Sequence, residues 1–197
     1  PKGASLWGIR TLGNDRVFVT NSDRSLLEFE LDATGAPKLA RTIDLPGPEG
    51  KGKSFPCGFA FSSDGSKAYI CLSLNNSLAA VDLGSGVVIA ETPVGIAPYD
   101  VELSPSSKTL YVSCQGGSRP VEGEETAPSA GTQVPVDRRG IAARGTVDMI
   151  DLSSFKVSKT LATELQPQDV VVSRKGLLFA ANANGDSVSM FSLDGTS

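Results

Sequence analysis

The chain has 197 residues, 40% apolar but only 6% aromatic, with 21 glycines, 12 prolines and no histidine. Its net charge of −4, with 18 basic residues scattered along the chain, leaves no clustered Lys/Arg footprint of the kind that binds nucleic acid. No run of about 18 apolar residues predicts a membrane-spanning helix, and the missing histidine removes the usual general base near neutral pH and the commonest metal ligand.

In chain order, short apolar alternations of period two, punctuated by turn residues, predict strands throughout. The first unit, 6–45, carries Trp7 and Ile9, then Val17 to Asn21, Ser25 to Leu31 and Leu39 to Leu45; Trp7 is read as an aromatic packed between sheets. A glycine-rich connector, Pro46 to Ser54, leads into the second unit, 55–94. Here Pro56 opens the first strand, Ala68 to Cys71 forms the second, Ser77 to Leu83 the third and Val87 to Val94 the fourth. Ser63-Asp-Gly65, Asn75-Asn76 and Gly84-Ser-Gly86 supply the turns, and no helix of more than two turns is expected. The third unit, 96–162, repeats the order from Pro98 through Leu110 to Ser113, Thr146 to Leu152 and Lys156 to Ala162, but is split by an insertion at 115–144. The fourth, 165–193, has three strands, around Pro167, Leu178 to Ala181 and Ser187 to Leu193.

A repeat of about 42 residues with four strands per unit is the signature of a β-propeller, whose small sheets bury their faces only against one another. The fold expected is therefore all-β, with four-stranded antiparallel blades, about four of them, forming part of a larger propeller. Phe18-Val-Thr-Asn21, Tyr69-Ile-Cys71, Tyr111-Val-Ser113 and Asn76-Ser-Leu-Ala-Ala-Val-Asp-Leu83 resemble the YVTN repeat of YncE-like propellers, although no copy spells the tetrapeptide in full. The resemblance covers essentially the whole chain and implies a seven-bladed ring.

Propeller topology puts the connector Pro46 to Ser54, the turns at Asn21 to Arg24, Asn75 to Ser77 and Asn182 to Asp186, and the insertion on one face, called the top. Loops concentrated on one side of a rigid scaffold are where binding is expected. Candidate ligand- or partner-binding residues are Arg119, Asp137, Arg138 and Arg139 from the insertion, with Asn75, Asn76 and Asn184 from the turns. A planar guanidinium takes carboxylate or phosphate through two parallel hydrogen bonds, which favours the arginines; Arg139 could equally brace the insertion on its own blade. Val134 to Ile141 is expected to be its ordered part and Val121 to Thr132 to be disordered.

For catalysis, Asp100 and Asp169 are repeat-equivalent carboxylates, better read as bonding backbone at the blade entrance, where Gly58 stands in the second unit. Cys57, Cys71 and Cys114 are read as buried free thiols, with no spacing suited to zinc. No catalytic set, cofactor or metal is expected. Within the insertion, Gly116, Gly117, Arg119, Pro120, then Val136, Asp137, Arg139, Gly140, Ile141, and then Gly145 to Val147 look like the pattern of YncE-like propellers joined to an alkaline-phosphatase-type phosphoesterase domain. Two functions are carried forward. One is a non-catalytic recognition scaffold, periplasmic or at the cell surface, that binds a protein partner, neighbouring domain or small ligand on its top face. The other is the propeller portion of a larger hydrolase whose catalytic domain lies outside these residues.

Overall fold

The computed structural model describes residues 5–193. Its strands form four small antiparallel sheets, each following chain order from its inner to its outer edge. The first contains β1 (Leu6–Leu12), β2 (Arg16–Asn21), β3 (Ser25–Leu31) and β4 (Pro37–Asp44); the second contains β5 (Pro56–Phe61), β6 (Lys67–Leu72), β7 (Ser77–Asp82) and β8 (Val87–Pro93). The third takes β9 (Ile96–Leu103) and β10 (Thr109–Gly117), leaves for a separate hairpin of β11 (Thr126–Ser129) and β12 (Thr132–Pro135), and resumes with β13 (Gly145–Asp151) and β14 (Lys156–Thr163). The last sheet is β15 (Pro167–Val172), β16 (Leu177–Asn182) and β17 (Ser187–Ser192). These are the blades of a β-propeller. The described helix is a single 3-10 turn at Pro48–Gly50, and no helix is long and apolar enough to cross a membrane.

The period-two pattern buries both faces of a blade, one against each neighbour. Between blades 1 and 2, Phe18, Leu26 and Ile43 meet Phe59, Ile70 and Leu72. Between blades 2 and 3, Tyr69 and Leu78 meet Leu110, Val112 and Ile150. Between blades 3 and 4, Tyr111, Val147 and Leu161 meet Leu178, Ala180 and Phe191. Phe18, Tyr69 and Tyr111 occupy one register position, opposite Glu28, Ala80 and Met149, so the same aromatic closes each interface. Burying each such side chain stabilises the fold by roughly 1.5–3 kcal/mol.

Polar clips cross the same interfaces. Thr20 Oγ1 accepts from Gly8 N (2.7 Å) in its own blade and donates to Cys57 O (2.7 Å) in the next. Ser113 Oγ likewise accepts from Asp100 N (3.0 Å) and donates to Gln168 O. The buried Glu28 takes paired hydrogen bonds from Arg16 on one oxygen and from Arg41 on the other, and Arg41 reaches on to Leu83 O and Gly84 O of blade 2. The three cysteines are free and buried. Burial pushes the Cys57 thiol up to about 12 and those of Cys71 and Cys114 well above their ordinary value, so all three stay neutral thiols.

Trp7 departs from the expectation. It is 44% exposed on the inner strand of blade 1, with its ring against Phe55 (centroids 5.3 Å apart) and edge-on to Tyr99 (5.9 Å). Trp7 lies where the β1–β2 register shifts between Leu6 and Ile9, an irregularity that a period-two pattern does not foresee.

Candidate functional site

The top-face loops converge as propeller topology requires. The Pro46–Ser54 connector is held to the β2–β3 turn by Ser54 N donating to Asp23 O (3.2 Å) and Arg24 Nη1 to Gly52 O (3.3 Å). Asn75 Nδ2 donates to Pro46 O (3.1 Å) and to Glu91 Oε1 (3.1 Å).

The insertion is folded over these loops. Gly116 and Gly117 set its departure: a Cβ on Gly116 would lie 2.7 Å from Ile96 of β9, and Gly117 has φ +69 with the Arg144 backbone closing on it, so a side chain at Gly117 would part the two ends of the insertion. Arg144 then forks onto Glu124, Nη1 to Oε1 at 2.6 Å and Nη2 to Oε2 at 2.7 Å. Those hydrogen bonds, with a further one from Val121 N, hold the Glu124 carboxyl down to about 2. Between the clamped ends β11 and β12 pair from Thr126↔Pro135 to Ser129↔Thr132, across a turn whose Ala130 and Gly131 both have positive φ. Val121 to Thr132 is thus not the disordered stretch its composition suggests. The next turn closes on Asp137: Gly140 N donates to its carbonyl, and its side chain takes Arg139 N (2.8 Å) and Arg139 Nε (2.8 Å). Arg139, first among the causes, keeps the Asp137 carboxyl below its usual range. Val134 to Ile141 is folded, and Arg139 is tied to Asp137 within the same turn of the insertion, not to its own blade.

Beneath the hairpin lies a cleft of about 440 Å³. Its floor comes from three blades: Asn76 after β6, Ile96 and Ala97 at the head of β9, Gln115 in β10, Gln166 just before β15 and Asn184 after β16. The roof is hairpin and following turn, including Ala127, Thr132, Val134 and Ile141. Asn76 ties roof to floor, donating to Thr132 Oγ1 (2.8 Å) and accepting from Ala97 N (2.8 Å). Among the described residues lining the cleft there is no charged side chain and no aromatic ring.

Of the residues singled out from sequence, Asn76 and Asn184 line this cleft. Asn75 is not in its lining and is bonded to the connector and to Glu91. Arg119, Asp137, Arg138 and Arg139 stay outside its lining; Arg119 and Arg138 are exposed, and among the described residues their side chains have no ion-pair or hydrogen-bond partner. Sequence reasoning missed Gln115 and Gln166. One signal was available for Gln166: it precedes Pro167 as Phe55 precedes Pro56 and Ala97 precedes Pro98, and all three adopt positive φ (50, 52 and 55), turning the chain inward at the blade entrance.

A second cavity, about 350 Å³, opens on the inner strands and is lined by Trp7, Arg10, Tyr99, Asp100 and Asp169 among others. Asp100 fits where blade 2 has Gly58, whose Cβ would sit 2.3 Å from Asp100 Oδ1, and accepts from Val170 N (3.2 Å) of blade 4. Burial raises its pKa, partly offset by that bond and by Arg10, while Asp169 adds to the rise. Asp100 is thus a backbone-binding link between blades, and Arg10 is drawn onto Phe59 O and Glu102.

Fold and cleft together define a propeller-type scaffold with a roofed top-face pocket. No protein-family model matches the sequence, and neither does any curated protein. Among solved structures the chain is similar to a candidate 6-phosphogluconolactonase from Bacteroides uniformis (15% identity, TM-score 0.68, 96% of this chain and 50% of that one). It is also similar to a functionally unknown protein from Desulfotomaculum acetoxidans (16%, 0.67, 100% and 56%) and to the hydrazine synthase of Kuenenia stuttgartiensis (19%, 0.52, 95% and 62%). The chain spans half to two thirds of the length of these structures. At such identities the likeness is one of fold.

Proposed function

We propose that these residues form a non-catalytic recognition domain that binds a ligand or a segment of a partner in the cleft under the insertion, in the periplasm or at the cell surface. The observation that carries this reading is the cleft itself: a cavity of about 440 Å³, within the size range of ligand sites, roofed by the largest departure from the repeat and floored by three blades. Its lining offers amides, hydroxyls and aliphatic groups but no acid, base or thiol, a set suited to holding a molecule and not to moving its protons. The test is a fragment screen by chemical-shift perturbation on the isotope-labelled chain, run in parallel on Ala127→Trp, which fills the cleft from its roof. Saturable shifts centred on Gln115, Gln166 and Asn184 and lost in Ala127→Trp are the expected result. Hits that survive the substitution, or that gather in the inner-strand cavity, would reject it.

One observation favours a second reading, the propeller portion of a larger phosphoesterase-type hydrolase of the YncE-like kind. Arg119 and Arg138 stand exposed and unpaired among the described residues, beside glycines that match the insertion pattern of that group. Free guanidinium groups on the rim suit the docking of a neighbouring acidic domain better than the lining of the cleft.

A further inference from the structure

Resting on the reading of the cleft as a binding site, we infer that its ligand is an extended peptide segment without charged side chains, held through its backbone by the primary amides of Gln115, Gln166 and Asn184. Each of the three lines the cleft, and among the described residues none of these side-chain amides donates to or accepts from another protein group. Asn76 differs: both ends of its amide are spent on Thr132 and Ala97, so it is a strut. A primary amide presents two donors beside an acceptor, the complement of a peptide group, which it can engage at both its C=O and its N–H. Three such groups on one floor can each engage a peptide unit. Val134 and Ile141 in the roof, with Leu74 and Ile96, supply the apolar surface that aliphatic side chains seek. Charged ligands are disfavoured because a cleft with no charged lining residue has nothing to replace the water lost from an ionised group. The other neutral polar class, sugars, is disfavoured by the lack of any aromatic ring in the lining, since aromatic faces supply the flat apolar contact that a sugar ring's C–H face packs on.

The experiment titrates the labelled 197-residue chain with pools of acetylated, amidated tetrapeptides built from Ala, Val, Leu, Ser, Asn and Gln, with the same pools carrying one Lys or one Glu, and with maltotriose. Saturable shifts of the three side-chain amide signals by a neutral pool are expected, with at least about tenfold weaker binding of both charged pools. Gln115→Ala with Gln166→Ala should weaken the best neutral peptide by about tenfold, the loss of two modest hydrogen bonds. If that pair fails to fold by circular dichroism, Asn184→Ala, in an exposed turn, should still weaken it measurably. Binding of maltotriose or of a charged pool in the cleft, with the neutral pools inert, overturns the peptide assignment while leaving the cleft a binding site. Shifts from fragments but from no peptide pool overturn it too. An inert cleft in both experiments removes the recognition reading as well.

Discussion

Thr20 and Ser113 carry more of the fold than their size suggests, because one hydroxyl oxygen serves two blades. Each is fully buried, takes an N–H from its own inner strand and gives its proton to a carbonyl of the next blade. Blade 2 has Cys71 at the equivalent place, where the weaker thiol makes no such clip. The neighbouring Asn21 and Asn182 close the following turns onto Ser25 and Ser187. The third and fourth positions of the tetrapeptide that the sequence resembles therefore have a physical reason: a clip, then a turn cap. Removing a clip strands an N–H and a C=O at a buried or partly buried interface, which costs about 1–3 kcal/mol. Thr20→Val, nearly isosteric, and Ser113→Ala should each lower urea stability by that amount, whereas Ser106→Ala, in a surface turn, should stay within about 0.5 kcal/mol. Equal midpoints for all three would show the clips to be energetically idle.

At the scale of elements, the strands were legible and the insertion was not. Alternation and the recurring aromatic at Phe18, Tyr69 and Tyr111 mark β2, β6 and β10, because each blade must present the same face to the next. The β11–β12 hairpin has no such repeat partner. It is four residues a side, includes Pro128, and turns on Ala130, a residue that signals no turn, so its composition reads as disorder. What fixes it is a pair twenty positions apart, Glu124 and Arg144, invisible to any local pattern. The charged residues 119 and 137–139 attract attention because charge is conspicuous, yet the cleft is lined by amides and aliphatics gathered from loops across three blades. Breaking the clamp should free the roof without unfolding the blades. In Arg144→Met, trypsin should cut at Arg138 or Arg139 about tenfold faster or more, with the melting transition nearly unchanged, and Arg144→Lys should fall between, since a point charge cannot make the fork. The pH dependence follows from Glu124. Its folded pKa, about 2, lies below the ordinary 4.5, so the clamp contributes in full above the ordinary value and is lost only as the pH falls through about 2. Wild-type protection should accordingly be flat from pH 9 to 5. Unaltered cleavage in Arg144→Met would mean that the hairpin is held by Asn76 alone.

Across the whole molecule, the repeat that builds three interfaces also prepares two more. Blade 4 presents Val171, Phe179, Ala181, Val188 and Met190 on the face opposite its contact with blade 3; the register Val171↔Phe179, Phe179↔Met190 and Ala181↔Val188 makes them one patch. Phe179 holds the position of Phe18, Tyr69 and Tyr111, each of which is covered by the next blade, yet Val188 is 65% and Met190 56% exposed. At the other flank blade 1 presents Ile9, Val17, Phe29 and Leu39, on the face that blades 2 to 4 bury against their predecessors, with Ile9 67% and Leu39 56% exposed. Front and back are chemically matched, since each interior interface joins one of each. Among the described residues β17 also has no fourth strand beside it, which leaves a row of backbone groups open to pairing. The 197-residue chain therefore has a head chemically matched to its tail, and such a heterologous contact would add copies end to end. It should therefore associate in a concentration-dependent way in sedimentation velocity. Each Val or Met withdrawn from water favours the contact by roughly 1.5–3 kcal/mol, so Val188→Lys with Met190→Lys, which adds two positive charges to the patch, should return the chain to a monomer with unchanged circular dichroism. None of the patch residues lines the cleft, so its fragment-induced shifts should persist in this variant. A wild-type chain that stays monomeric at the highest attainable concentration, or a lysine variant that associates as before, would show that these faces do not join in the way the interior blades do.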